Sequence, residues 1–345
     1  MKAIRITGKN EFGLQEIEAP GPKPEEALIK VRATGVCGTD LELCDGSMFY
    51  LTTGMSKLPL TPGHEWTGEI VELGSEVRGF AVGDRVVGEC TVSCGECDMC
   101  HKGWYNHCPN RTETGILNRD GGFAEYLTYP AAFLHKTNGL SWEAAATIEP
   151  TAVSLQPVKA MKVSPADYVA VMGPGPIGLL AVQIAKAYGA RKVILVGTRD
   201  ERLEVGRQMG ADETVNVRTE NIKEKVADIT RGRMVDVVVE AAGKPGVWQD
   251  IAAILAPRAR VGITGLFAGK TCEVDFDPLV VGQVSIHGFL GSPDMWEESI
   301  SLHERGLIDP APIITHRLPL EEFAEAVDIS RTRRENAIKV MVLQG

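Results

Sequence analysis

No stretch of about 18 consecutive apolar residues occurs in the chain, the minimum for a helix that crosses a membrane, so no membrane span is expected. A basic excess is missing too. Lys and Arg number 36 against 46 Asp and Glu, a formal net charge of -10. Binding to phosphate backbones needs a basic face, so no nucleic-acid partner is expected. The opening residues Met1 to Thr7 read as a strand and carry no apolar export core or cleavage site. A cytoplasmic location is the expectation. Internal repeats and low-complexity tracts are absent.

What is present begins with size. A chain of 345 residues is too long for one ordinary core, and two domains are expected. Eight cysteines without an export signal imply reduced thiols or metal ligands rather than disulfides. The first third is rich in turns and short β-branched runs, such as those around Ile29 and Ile70. Near Ser141 the texture changes to one long helical stretch, 141–161. Strands at 168–172, 192–196, 235–240 and 260–264 then alternate with helices at 176–188, 201–209, 222–230 and 247–255. That rhythm predicts a doubly wound parallel sheet, hence an α/β protein. Beyond Gly291 come helices at 295–304 and 320–330 and a strand at 337–343. The expected division is 1–152 together with 291–345 as one domain and 153–290 as the other.

Cys94, Cys97, Cys100 and Cys108 follow C-x2-C-x2-C-x7-C. Short knuckle spacings let one loop supply four thiolates to tetrahedral zinc, and a closed set of four leaves no position for chemistry. The expected role is structural. A last gap of seven rather than three opposes an iron–sulfur cluster. His101 and His107 lie in this loop, but four cysteines already complete the tetrahedron.

A second constellation is scattered. Cys37, His64, Glu65 and Glu149 are each unremarkable alone. A catalytic zinc needs three protein ligands and one exchangeable position, and these residues can meet only through folding.

Gly173, Gly175 and Gly178, with Pro176 and Ile177, fit G-x-G-x-x-G between a predicted strand and a predicted helix. Such a turn brings a pyrophosphate to a helix N-terminus. An acidic residue that would hold an NAD ribose belongs at the end of the next strand. Gly197 stands there, followed by Thr198 and Arg199. Arg199 suits a 2′-phosphate, so NADP(H) is expected over NAD(H).

Taken in order, Gly35 to Asp40, Gly63-His64-Glu65, the four-cysteine lobe, Gly121 to Tyr126 and the glycine turn resemble the zinc-containing medium-chain alcohol dehydrogenases. Glu149-Pro150 looks like the polyol, sorbitol and threonine dehydrogenase branch. The resemblance implies a GroES-like, mostly-β catalytic domain plus a Rossmann domain, and one catalytic and one structural zinc. Cys37, His64 and Glu65 would bind the catalytic ion with Glu149 beside it; whether Glu65 or Glu149 is the third ligand stays open. Thr39 would pass a proton outward. Glu42 replaces the histidine that ends the relay in many relatives, and is a candidate for relay or substrate contact. Lys339 would reach the cofactor phosphates. The implied reaction is a secondary alcohol, of polyol, sugar or cyclitol type, to a ketone, with hydride passing to the nicotinamide. A homotetramer is implied as well. The alternatives are an amino-alcohol dehydrogenase of threonine type and a non-catalytic dinucleotide sensor.

Overall fold

The computed structural model describes residues 1–137, 139–267 and 269–345. The chain forms two compact units. The first holds Met1–Glu149, Gly291–Glu304 and Ile314–Gly345; the second holds Pro150–Leu290 and Arg305–Ile313. No described helix is long and apolar enough to cross a membrane.

The first unit is built on a seven-stranded sheet. Its path runs Leu134–Lys136, Arg85–Gly88, Glu65–Leu73, Glu26–Gly35, Lys339–Leu343 and Ile314–Pro319, and Tyr126–Pro130 also pairs with Glu26–Gly35. Glu26–Gly35 and Lys339–Leu343 are antiparallel neighbours, so the last residues of the chain join the sheet laid down by the first. Alternation of buried and partly buried residues along Glu26–Gly35 fits a strand packed mainly on one face. That face packs Ile29, Val31 and Ile70 around Trp66, whose ring meets Tyr129 edge-on at 5.0 Å. Trp66 is 2% exposed and belongs to the core.

The second unit is a six-stranded parallel sheet. Its order is Glu213–Asn216, Lys192–Gly197, Tyr168–Met172, Val235–Glu240, Leu255–Ile263 and Ser285–Gly288. The central strand Tyr168–Met172 is buried throughout, as a strand covered on both faces must be. Strand order reverses between this strand and Val235–Glu240, the place where doubly wound sheets bind ligands.

The expected helix over 141–161 is two helices, Trp142–Ala146 and Ile148–Ala160. Pro150 has no N–H to donate to the carbonyl four residues back, so the first helix ends and a new one restarts at Ile148. Ser141 caps the first, accepting from Ala144 N at 3.1 Å. The expected helix over 320–330 opens as a 3-10 turn, Leu320–Glu322, before the α-helix Phe323–Thr332.

Candidate active site

The strand Glu26–Gly35 delivers Cys37 to the N-cap of the helix Gly38–Asp45. The neighbouring strand begins at Glu65, which is paired with Gly35 across the ladder. That register sets His64 and Glu65 beside Cys37. Asp40 fixes the arrangement. Its Oδ2 accepts from Cys37 N at 2.8 Å and its Oδ1 from Gly63 N at 3.1 Å, joining the two loops. Among the described residues, one ligand atom each from Cys37, His64 and Glu65 lie within 4.8 Å of one another.

The trio sits among negative groups, with Cys37 half-buried and the other two buried. His64 and Glu65 are 4% and 1% exposed, and Asp40 is fully buried. Burial lowers the His64 pKa, but the charges of Cys37 and Asp40 and a hydrogen bond with Cys37 lift it well above the ordinary value. Burial, then the nearby Glu65, pushes the Glu149 carboxyl up to about 7 against the pull of His64 and Lys339. His64 Nδ1 lies 3.8 Å from Asp40 Oδ1, too far for a hydrogen bond, and has no other partner among the described residues. A half-buried thiol, three buried carboxyls and a buried imidazole share one lysine. That donor set fits a divalent cation, which would neutralise the excess and take the imidazole as a ligand.

Lys339 departs from expectation. Its ammonium is buried and donates to Glu65 Oε1 and Oε2 at 2.7 and 2.6 Å and to Val36 O at 3.1 Å. It does not present a free charge for cofactor phosphates, because a buried carboxylate needs a counter-charge and Glu65 claims it. Glu149 stands outside the trio that meets within ligand reach. Thr39 Oγ1 lies 4.0 Å from Cys37 Sγ. Glu42 is half-buried on the same helix as Thr39, and its carboxyl has no hydrogen bond or ion pair among the described residues.

The four cysteines gather in the lobe. Sγ separations are 3.5 Å for Cys97–Cys100, 3.5 Å for Cys94–Cys108 and 4.0 Å for Cys94–Cys100. A tetrahedron with bonds of about 2.3 Å has edges of ~3.8 Å, so the thiols already hold the spacing zinc requires. A hydrogen bond from Ser93 leads in pulling Cys100 down to about 6, while burial leads in pushing Cys108 up to about 11. His101 and His107 are not part of the cluster.

In the second unit, Gly173 adopts φ +102° directly after the central strand, a conformation that favours glycine. A Cβ on Gly178 would sit 1.9 Å from Gly173 O, so the helix Pro176–Ala187 can start only this close to the turn without a side chain. Pro176 occupies the first helical turn, where its missing N–H costs nothing. Gly175 has open space around it, and Ile177 O accepts from Ser154 Oγ at 3.0 Å. A Cβ on Gly197 would meet the Pro174 ring at 2.6 Å, which leaves no room for an acidic side chain there.

Thr198 is exposed and Arg199 half-buried at the N-cap of the helix Asp200–Gln208. No carboxylate pairs with Arg199 among the described residues. Asp200 is engaged elsewhere, its Oδ1 accepting from Asn216 Nδ2 at 2.7 Å. The sequence reading missed Arg218. Val217 N donates to Gly197 O at 3.0 Å, so the exposed Arg218 follows directly on the same strand end. No local motif flags it, because only strand pairing brings it there.

Comparison with known proteins shows the family of the chain. Residues 23–139 match the alcohol dehydrogenase GroES-like domain and residues 176–305 the zinc-binding dehydrogenase family. Sorbitol dehydrogenase of Bacillus subtilis (strain 168) is 33% identical, covering 99% of this chain and 97% of that protein. L-threonine 3-dehydrogenase of Pseudoalteromonas atlantica is 35% identical, covering 95% of this chain and 96% of that protein. A zinc-binding dehydrogenase structure from Sinorhizobium meliloti 1021, bound to NADP, superposes with a TM-score of 0.92 at 31% identity, covering 99% and 98% of the two chains. The chain therefore belongs to the zinc-binding alcohol dehydrogenase family, as a medium-chain oxidoreductase with a GroES-like and a Rossmann domain that uses zinc, a nicotinamide cofactor and a small alcohol substrate.

Proposed function

We propose that this enzyme interconverts a secondary alcohol of polyol, sugar or cyclitol type and its ketone, with NADP(H) preferred. The observation that carries the reading is the meeting of Cys37, His64 and Glu65 within 4.8 Å. These three would hold the catalytic zinc, with Glu149 beside it, and the four-cysteine lobe would hold a second, structural ion. Bound zinc supplies Lewis acidity that lowers the pKa of an alcohol hydroxyl, and the nicotinamide supplies the hydride acceptor. The chain's own residues do the rest. Asp40 keeps Cys37 and His64 in register, and Lys339 offsets the Glu65 charge. Thr39, next to Cys37, takes the substrate proton first. Glu42 follows Thr39 by three positions on the helix Gly38–Asp45, so the two share a face. Burial, and then Asp45, raises its pKa, which suits a proton acceptor nearer neutrality. A base works in its ionised form, so kcat/KM should rise with pH through the Glu42 pKa. Glu42→Gln is expected to remove that acid limb; an unaltered pH–rate profile contradicts the assignment.

Support for NADP(H) comes from Gly197, closed to an acidic side chain, and from Arg199, which no carboxylate pairs among the described residues, with the exposed Arg218 following the residue bonded to Gly197 O. Charge-assisted hydrogen bonds to phosphate contribute roughly 1.5–3 kcal/mol each. Arg199→Ala is expected to lower kcat/KM for NADP by about 10- to 100-fold and to change the NAD value far less. Steady-state kinetics with both cofactors check this; equal losses with the two cofactors, or better wild-type efficiency with NAD, contradict it.

An amino-alcohol reading has support from the threonine dehydrogenase relative. A panel of polyols, simple secondary alcohols and threonine, each with both cofactors, separates the readings, and absence of turnover on all of them defeats the enzymatic proposal. Self-association, which a homotetramer requires, has support in the second unit. Every residue of the edge strand Ser285–Gly288 is exposed, and Phe276, Val280 and Val281 stand out at 66%, 72% and 85% exposure. An unpaired strand edge with an apolar border favours pairing with a second copy. Eight free cysteines, four of them gathered for a metal, support a reducing, cytoplasmic setting.

A further inference from the structure

Glu240 closes the strand Val235–Glu240 in the second unit and is 0% exposed. Its Oε1 accepts from Ala242 N at 2.8 Å and from Gly243 N at 2.9 Å. Its Oε2 is buried too and has no hydrogen-bond partner among the described residues. No basic side chain pairs with the carboxyl among the described residues. Burial leads in raising its pKa, against the pull of the backbone N–H groups. A buried acid with an empty oxygen and no counter-charge is costly, and acids kept at such a cost are candidates for function.

The acid joins three strand ends. In the sheet, Glu240 is paired with Met172 on one side and with Ile263 on the other. Ala241 N donates to Met172 O at 3.0 Å, and a Cβ on Gly173 would lie 2.9 Å from Ala242 Cα. The loop that Oε1 holds therefore rests on the first residue of the glycine turn. On the far side, Thr264 N and Thr264 Oγ1 both donate to Glu240 O at 2.9 Å. A Cβ on Gly265 would lie 2.5 Å from Glu240 Oε2 and 2.5 Å from Gly243 N. The empty oxygen thus fills the gap between the Ala242–Gly243 loop and the Thr264–Gly265 loop.

Both loops lie on one side of the glycine turn. Gly173 follows the central strand Tyr168–Met172. Gly197 and Arg199 end the strand to one side of it, whereas Glu240 and Ile263 end the two strands to the other side. A dinucleotide with its pyrophosphate at the turn spreads its two halves across the point where strand order reverses. With the adenosine half toward Gly197 and Arg199, the nicotinamide half runs over the ends of the other two strands. We propose that Glu240 is a positioning residue for the nicotinamide half of the cofactor, setting the spacing of the two loops on which that half rests. Being buried, it acts through those loops. The proposal rests on the chain's use of a nicotinamide cofactor, and it is indifferent to whether that cofactor carries a 2′-phosphate.

The test measures dissociation constants by calorimetry for NADP and for its adenosine fragment 2′,5′-ADP, in wild type and in Glu240→Ala, with melting temperatures alongside. If wild type binds NAD more tightly, NAD and ADP take their places. Loss of two hydrogen bonds to a buried carboxyl should weaken the whole dinucleotide by about 10- to 100-fold, while the fragment stays within about threefold. A merely structural role would weaken the two ligands alike, or neither, and either result overturns the proposal. Should Glu240→Ala fail to fold, Gly265→Ala drives the same loops apart and leaves the acid in place. It should weaken the dinucleotide at least threefold more than the fragment, and equal or absent effects are decisive against Glu240. Wild-type protein that binds neither dinucleotide is the separate failure of the cofactor reading.

Discussion

Replacing Cys37 by serine should reduce turnover by at least about three orders of magnitude while leaving cofactor binding in place. The two parts of that expectation come from two places in the fold. Cys37 belongs to the trio Cys37, His64 and Glu65 in the first unit, and the glycine turn Gly173 to Gly178 belongs to the second. A serine hydroxyl is not a thiolate at neutral pH, so the variant loses a soft anionic ligand and the ion with it. Lewis-acid stabilisation worth several kcal/mol disappears, and each ~1.4 kcal/mol is tenfold in rate. The dinucleotide turn is untouched. Fluorescence titration with NADPH should give a dissociation constant within a few-fold of the wild type. Comparable turnover by Cys37→Ser contradicts the metal assignment; loss of NADPH binding points instead to a folding defect.

The second large effect concerns Lys339. Its ammonium is 2.6 Å from Glu65 in a region where both side chains are nearly inaccessible. Burial lowers the lysine pKa, but Glu65 and Cys37 outweigh it and the net shift is upward, so the lysine is charged at neutral pH. Lys339→Met leaves the Glu65 carboxylate buried without its partner. Breaking one side of such a pair costs about 3–5 kcal/mol, far more than an exposed pair would. Urea denaturation should show that loss in the metal-free protein. Lys339→Met combined with Glu65→Gln should recover most of it, because the uncompensated charge is gone. Additive losses in the double variant would mean that the pair is not coupled as the distances indicate.

Lys339 also shows where sequence reading stops. Resemblance assigned it to cofactor phosphates. The contact it makes, to a residue 274 positions earlier, depends on the terminal strand inserting beside Glu26–Gly35. No local pattern announces such an insertion. Features carried by short-range spacing were readable. The cysteine knuckle and the glycine turn need only a few consecutive residues, and the strand Tyr168–Met172 and the helix Ile222–Thr230 follow from apolar period alone. The short strands Glu213–Asn216 and Ser285–Gly288 went unread, since four residues carry too little periodicity and the second is exposed throughout. The break at Thr147 was legible in principle, because Pro150 was in view. Arg218 was not, because its significance lies in the strand it follows and the one that strand pairs with.

Metal analysis of wild-type and Cys37→Ser protein tests the central claim most directly. The prediction is about two zinc ions per chain in the wild type and about one in the variant, the survivor being held by the four-cysteine lobe. Two ions retained by Cys37→Ser, or a wild-type protein that binds zinc only in the lobe, would contradict it.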